Sequence, residues 1–112
     1  MSVPQLNRRL TLEAPERVAD GAGGFVEIWV PLGTLWAEIQ PRTGRVTSGE
    51  VGSVSVAAFR IVVRAAVHGS TARPVAGQRF AMGPRRFLIE SVTEVEPRAL
   101  YLVCDAEEEV AA

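Results

Sequence analysis

Apolar and polar residues alternate with period two in short segments separated by Gly and Pro clusters, the pattern of half-buried strands. Leu10, Leu12 and Ala14 alternate with Thr11 and Glu13, which predicts a first strand ended by Pro15. In Asp20-Gly21-Ala22-Gly23-Gly24 the glycines admit positive φ, so the chain is expected to reverse there and return through Phe25 to Val30 as a hairpin. Pro31 and Gly33 predict another turn before a third strand, Thr34 to Gln40. It places Leu35, Ala37 and Ile39 on one face and Trp36, Glu38 and Gln40 on the other, and Pro41 ends it. Val54 to Ala66 reads as a long strand whose apolar phase changes. Val54 and Val56 share one parity and Phe59, Ile61 and Val63 the other, so a bulge is predicted near Ala57-Ala58. Gln78 to Met82, Arg86 to Val95 and Ala99 to Asp105 complete the set, with turns at Gly83-Pro84 and Pro97-Arg98. The predicted fold class is all-β, a small antiparallel β-barrel of about seven strands, because closure removes the open edges that invite aggregation. Its expected core is Leu10, Leu12, Ile39, Phe59, Ile61, Val63, Phe87, Ile89, Leu100 and Leu102.

One segment stands outside this pattern. From Arg42 to Ser53 there are three glycines and only two isolated valines, too little to bury. A stretch of about a dozen residues with no element of its own is uncommon in a compact domain and is usually functional or disordered. A long flexible loop is therefore expected at 42–53, and it is the most informative segment of the chain.

Composition narrows the function classes. A length of 112 residues is that of one domain, 1–112, and 47% apolar residues support a core without disulfides or metal. Twelve basic residues, all Arg, against 13 acidic ones give a net charge of −1, which argues against a strongly basic nucleic-acid binder. The longest apolar stretches, Ile61 to Val63 and Leu100 to Cys104, fall far short of the roughly 20 residues that cross a bilayer, so no membrane partner is expected. The first ten residues lack the apolar run of a secretory signal.

Candidate chemistry is thin. Cys104 and His68 are each single, and Cys104 follows the buried parity of Leu100 and Leu102, so a packed core thiol is expected rather than a nucleophile. One His and one Cys do not supply a zinc site, and His68 reads as a turn residue. Glu90, Glu94 and Glu96 read as a solvated face before an acid and base pair. Gly21, Gly23 and Gly24 do not have the spacing of a dinucleotide fingerprint, and Gly44, Gly49 and Gly52 lack the ending of a phosphate loop. No catalytic, cofactor or metal residue is assigned. Trp29 and Trp36 remain open between core and subunit contact, as does Tyr101.

The order and spacing of these features resemble the phage head-tail joining family, the head-completion or stopper proteins of tailed phages and phage-like gene transfer agents. The resemblance runs through Leu6-Asn7-Arg8-Arg9-Leu10-Thr11-Leu12-Glu13-Ala14-Pro15, the Gly-rich hairpin before Phe25-Val26-Glu27-Ile28-Trp29, and Leu35-Trp36-Ala37-Glu38-Ile39-Gln40-Pro41. It continues through the open loop, the strand Phe59 to Arg64, and the pair Arg86 to Val92 and Arg98 to Cys104. In the family this loop often holds a polar, helix-capable stretch, where this chain is Gly-rich.

The resemblance implies a structural, noncatalytic subunit without cofactors, assembled in the bacterial cytoplasm into the neck of a virion or phage-like particle. It implies a ring of copies, sixfold favoured and twelvefold the alternative, below a portal or adaptor ring. The ring would close the DNA-filled head, dock a tail terminator or tail tube, and touch transiting DNA weakly. Arg42, Arg45, Ser48 and Glu50 are the candidates for a channel or axial-interface loop, and Trp29, Trp36, Arg60 and Arg64 for the subunit interface. Two alternatives stand beside it. One is another neck component, adaptor or tail terminator. The other is a small nucleic-acid or ligand-binding β-barrel with Trp29, Trp36 and Tyr101 as a stacking platform.

Overall fold

The computed structural model describes residues 3–42, 45–49 and 52–109, with the backbone alone for 45–49 and 52–56. Eight strands follow one another: β1 (Arg8–Ala19), β2 (Phe25–Pro41), β3 (Arg45–Gly49), β4 (Gly52–Val56), β5 (Ala58–Arg64), β6 (Arg79–Met82), β7 (Arg85–Glu94) and β8 (Tyr101–Glu108). Six of them close a barrel in the order β1-β2-β5-β8-β7-β6, every neighbouring pair antiparallel. The all-β architecture is as expected, with six strands in the barrel and two in a separate hairpin.

Alternation fills the barrel. Leu10 and Leu12, Ala37, Ile61 and Val63, Phe80, Phe87 and Ile89, and Leu102, Cys104 and Ala106 point inward from the six strands. No polar or charged side chain is buried among the described residues. Each large apolar side chain so enclosed contributes about 1.5–3 kcal/mol of transfer free energy. Ile39 and Phe59 are half-buried against this core. Leu100, expected inside, is 50% exposed. It precedes β8 and follows Ala99, whose φ is +52°, so the turn breaks the parity that Leu102 and Cys104 keep.

Two prolines read as stops are accommodated within strands. Pro15 lies opposite Trp29 in β1, and β6 covers the other edge of β1 only as far as Glu13. Without a neighbour on that side, its missing N–H costs no ladder bond. Between Leu12↔Gly33 and Glu13↔Pro31 the register shifts, leaving Leu32 as an extra residue that packs on the core. Pro31-Leu32-Gly33 is thus a β-bulge rather than the expected turn, and the two expected strands are one strand, β2, of 17 residues. Beyond the bulge, Ala14–Ala19 and Phe25–Val30 continue as a two-stranded arm outside the barrel.

The arm's tip is closed by Asp20. Its Oδ1 accepts the N–H groups of Ala22 (2.7 Å) and Gly24 (3.0 Å), which hold its carboxyl below the ordinary carboxylate value. Gly21 and Gly23 supply φ values of +81° and +86°.

The segment expected as an open loop is a second ribbon. β3 pairs with β4 from Arg45↔Val56 to Gly49↔Gly52, and its ladder joins no barrel strand. The Val, Thr and Ser residues between the glycines pair with one another, which needs no buried face. The expected strand 54–66 divides at Ala57 into β4 and β5, at the place where the apolar phase changes.

Arg85 and Glu108 clasp β7 to β8 through two hydrogen bonds, Nε to Oε2 at 2.7 Å and Nη2 to Oε1 at 3.0 Å. The Arg85 hydrogen bond holds the Glu108 carboxyl below its ordinary value of 4.5. A carboxylate lowered in the folded state stabilises above its unfolded pKa, and that stability is lost as pH falls through the folded value. Replacing Glu108 by Gln is therefore expected to cost up to about 1 kcal/mol at neutral pH and less below pH 4.5, read from urea midpoints across pH.

Candidate functional surfaces

The barrel interior is filled by side chains, which leaves the surface to carry function. Cys104 is fully buried, and burial first, then the neighbouring Asp105 charge, push its thiol up to about 12. It is expected to resist a thiol-specific disulfide reagent until the barrel unfolds. Rapid reaction in buffer would place it elsewhere. His68 lies in an exposed turn, 3.7 Å from Glu94 Oε1, which also takes Arg73 Nη2 at 3.2 Å. Glu90, Glu94 and Glu96 are exposed. Among the described residues no group of three or more His, Cys, Asp or Glu side chains is placed to hold a metal.

The two tryptophans, equivalent by sequence, have different surroundings. Trp29 is half-buried on one face of the arm, with the Arg79 guanidinium 4.1 Å from its ring centre. Arg79 is fixed in turn by Glu13 Oε1 at 2.7 Å and Glu109 Oε2 at 3.5 Å. On the same face Arg17 covers Phe25 at 4.3 Å. Nothing near Trp29 in sequence signals this, because Arg79 arrives through β6.

The opposite face of the arm continues the inward parity of Leu10 and Leu12. It carries Ala14, Glu16 and Val18 opposite Val30, Ile28 and Val26. Inside the barrel this face is core. In the arm it emerges into solvent, with Val26 47% and Ile28 41% exposed.

Trp36 is 56% exposed on the outer face of the barrel. Arg9 stands opposite it on β1. On its other side, one step beyond the Ala37↔Val63 pair, comes Arg64 of β5, which is opposite Tyr101 of β8. Arg64 lies 5.7 Å from the Tyr101 ring centre. The result is a lateral row, Arg9-Trp36-Arg64-Tyr101, across four strands.

Arg60 is exposed on the same outer face. Beside it, Pro4, Val62, Val95 and Val103 line a groove, and the Gln5 N–H donates to Glu38 Oε2 at 2.6 Å. Val62 points outward yet is only 5% exposed. A second groove of about 320 Å³ is lined by Val3, Pro4, Val95, Pro97, Leu100 and Tyr101 among others.

Of the loop candidates, Arg42 is exposed at the base of the β3–β4 ribbon, where its Nη1 lies 3.5 Å from Asp105 Oδ1 as an ion pair without a hydrogen bond. Arg45 and Ser48 are on the backbone of β3, and Glu50 falls outside the described residues.

The family described as phage head completion protein matches residues 1–109. A chain in a solved structure of the virion of a native gene transfer agent particle is similar, with 45% sequence identity and a TM-score of 0.83. That similarity covers 98% of this chain and 100% of the other. No curated protein matches the chain.

Proposed function

Because the chain belongs to the phage head completion protein family and is a structural protein of the particle's head-tail neck, we propose that it acts there as a stopper. Copies form a ring, sixfold favoured over twelvefold, which seats against the portal or adaptor ring, closes the DNA-filled head and docks the tail terminator or tail tube. It works by contact and catalyses no reaction. The observation that carries this reading is a closed, side-chain-filled barrel from which a ribbon extends with its core-parity face open to solvent. That is the anatomy of a subunit made to be covered by others. A net charge of −1 suits a conduit for DNA, since a strongly basic lining adds salt-dependent affinity that would hold the duplex in place.

Deleting the gene is expected to leave DNA-filled heads without tails, or heads that leak their DNA, seen by electron microscopy and by nuclease-protected DNA per particle. Infectious or transducing particles at parental yield would refute the role.

A further inference from the structure

We propose that the row Arg9-Trp36-Arg64-Tyr101 receives the arm of a second copy of this chain, whose apolar face of Val18, Val26, Ile28 and Val30 lies across Trp36. The proposal rests on the ring reading and adds the pair of surfaces that build the ring.

Three observations select a second copy. The first is the apolar face of the arm, which continues the core parity of Leu10 and Leu12 yet leaves Val26 47% and Ile28 41% exposed. The second is charge. Residues 14–30 carry Glu16, Asp20 and Glu27 against Arg17 alone, three acidic to one basic, while the row carries Arg9 and Arg64. Neither Arg9 nor Arg64 makes an ion pair among the described residues. Opposite potentials of this kind fix partner and register. The third is geometry. The arm and the Arg9–Trp36 end of the row lie on the β1–β2 ribbon, Arg9 and Val18 being nine residues apart, roughly 30 Å along a strand. The two also face opposite sides of the sheet, so one ribbon cannot fold back onto its own row. A contact between two different patches is heterologous, and repetition about an axis closes a ring.

The chemistry of the join follows. Indole and phenol rings offer large apolar area with little side-chain entropy to lose, which places Trp36 at the centre of the contact and the guanidinium groups at its rim. Glu16, the one charge on the arm's apolar face, is left to meet Arg9 or Arg64.

Paired cysteines test the contact in assembled particles. Val26→Cys on the arm and Thr34→Cys beside the row are both on exposed strand positions, and the native Cys104 is buried. Mild oxidation of particles carrying both substitutions is expected to give a ladder of covalently linked multimers, and either single variant none. A neck that holds several copies but gives no ladder overturns this pairing of surfaces while leaving the ring. A neck that holds a single copy overturns the ring as well.

Should the cysteine variant not enter particles, a charge exchange decides. Glu16→Arg or Arg64→Glu alone is expected to lower the yield of tailed, DNA-retaining particles about tenfold, and the two together to restore most of it. Circular dichroism of each purified variant checks that the barrel is intact. If Arg64→Glu is not rescued by Glu16→Arg but abolishes retention of duplex DNA on the purified subunit at low salt, the row binds nucleic acid and the proposal is wrong.

Discussion

Replacing Phe87 by Ala is expected to destabilise the subunit by about 3–5 kcal/mol, a large part of the roughly 5–15 kcal/mol that holds a domain of this size together. Phe87 has no exposed surface, faces Phe80 across the β6–β7 pair, and meets the Phe59 ring edge-on with centroids 5.2 Å apart. Its loss empties the centre of the barrel, where strands held on both sides cannot close in to fill the space. Leu100→Ala is the control. Sequence parity ranks it with Phe87, yet its side chain is half exposed, and the expected cost is about 1 kcal/mol or less. Urea midpoints of the two variants decide between parity and structure, because comparable costs would move Leu100 into the core.

The contrast between these residues shows which parts of the fold strand periodicity can reveal. Leu10, Leu12, Ile61 and Val63 lie in uninterrupted strands, where each step of one residue reverses the face, so the buried set follows from alternation alone. The failures fall where geometry outside the strand decides. Pro31 and Gly33 are turn residues by local preference, and only the missing partners at the barrel's rim let them serve as a bulge instead. Val62 has outward parity yet is only 5% exposed, and it lines one groove with Pro4, a residue nearly sixty positions away that no window can contain.

Surface chemistry was less legible still. Trp29 and Trp36 share strand β2 and look alike, and what separates them is Arg79, delivered by the strand that closes the barrel. Likewise the alternation of cation and ring in Arg9-Trp36-Arg64-Tyr101 exists only across the strands, in the direction perpendicular to the chain. The family resemblance drew on order and spacing of elements, which survive such ambiguities because they do not depend on which face of a strand is wet.

The same independence of barrel and surface governs the ribbon at 45–56. Joining Arg42 directly to Ala58 through a two-residue turn in place of residues 43–57 is expected to leave the barrel folded, with a urea midpoint close to that of the parent. β2 ends at Pro41 and pairs with Phe59 of β5, and the Arg42 N–H already donates to the Ala58 carbonyl at 2.9 Å, so the two chain ends to be joined are in contact. The β3–β4 ladder pairs with no barrel strand, and the carbonyl of the new turn's last residue takes the place of the Ala57 carbonyl, which accepts the Glu108 N–H at 2.9 Å. A ribbon whose ladder joins no barrel strand is suited to reach the channel or an axial neighbour. Particles built from the shortened subunit are therefore expected to retain DNA or attach tails about tenfold less well, the loss that removing ~1.4 kcal/mol of contact produces. Retention and tailing equal to the parent would make the ribbon a tolerated insertion, and unfolding of the shortened chain would show that β3 and β4 support the barrel after all.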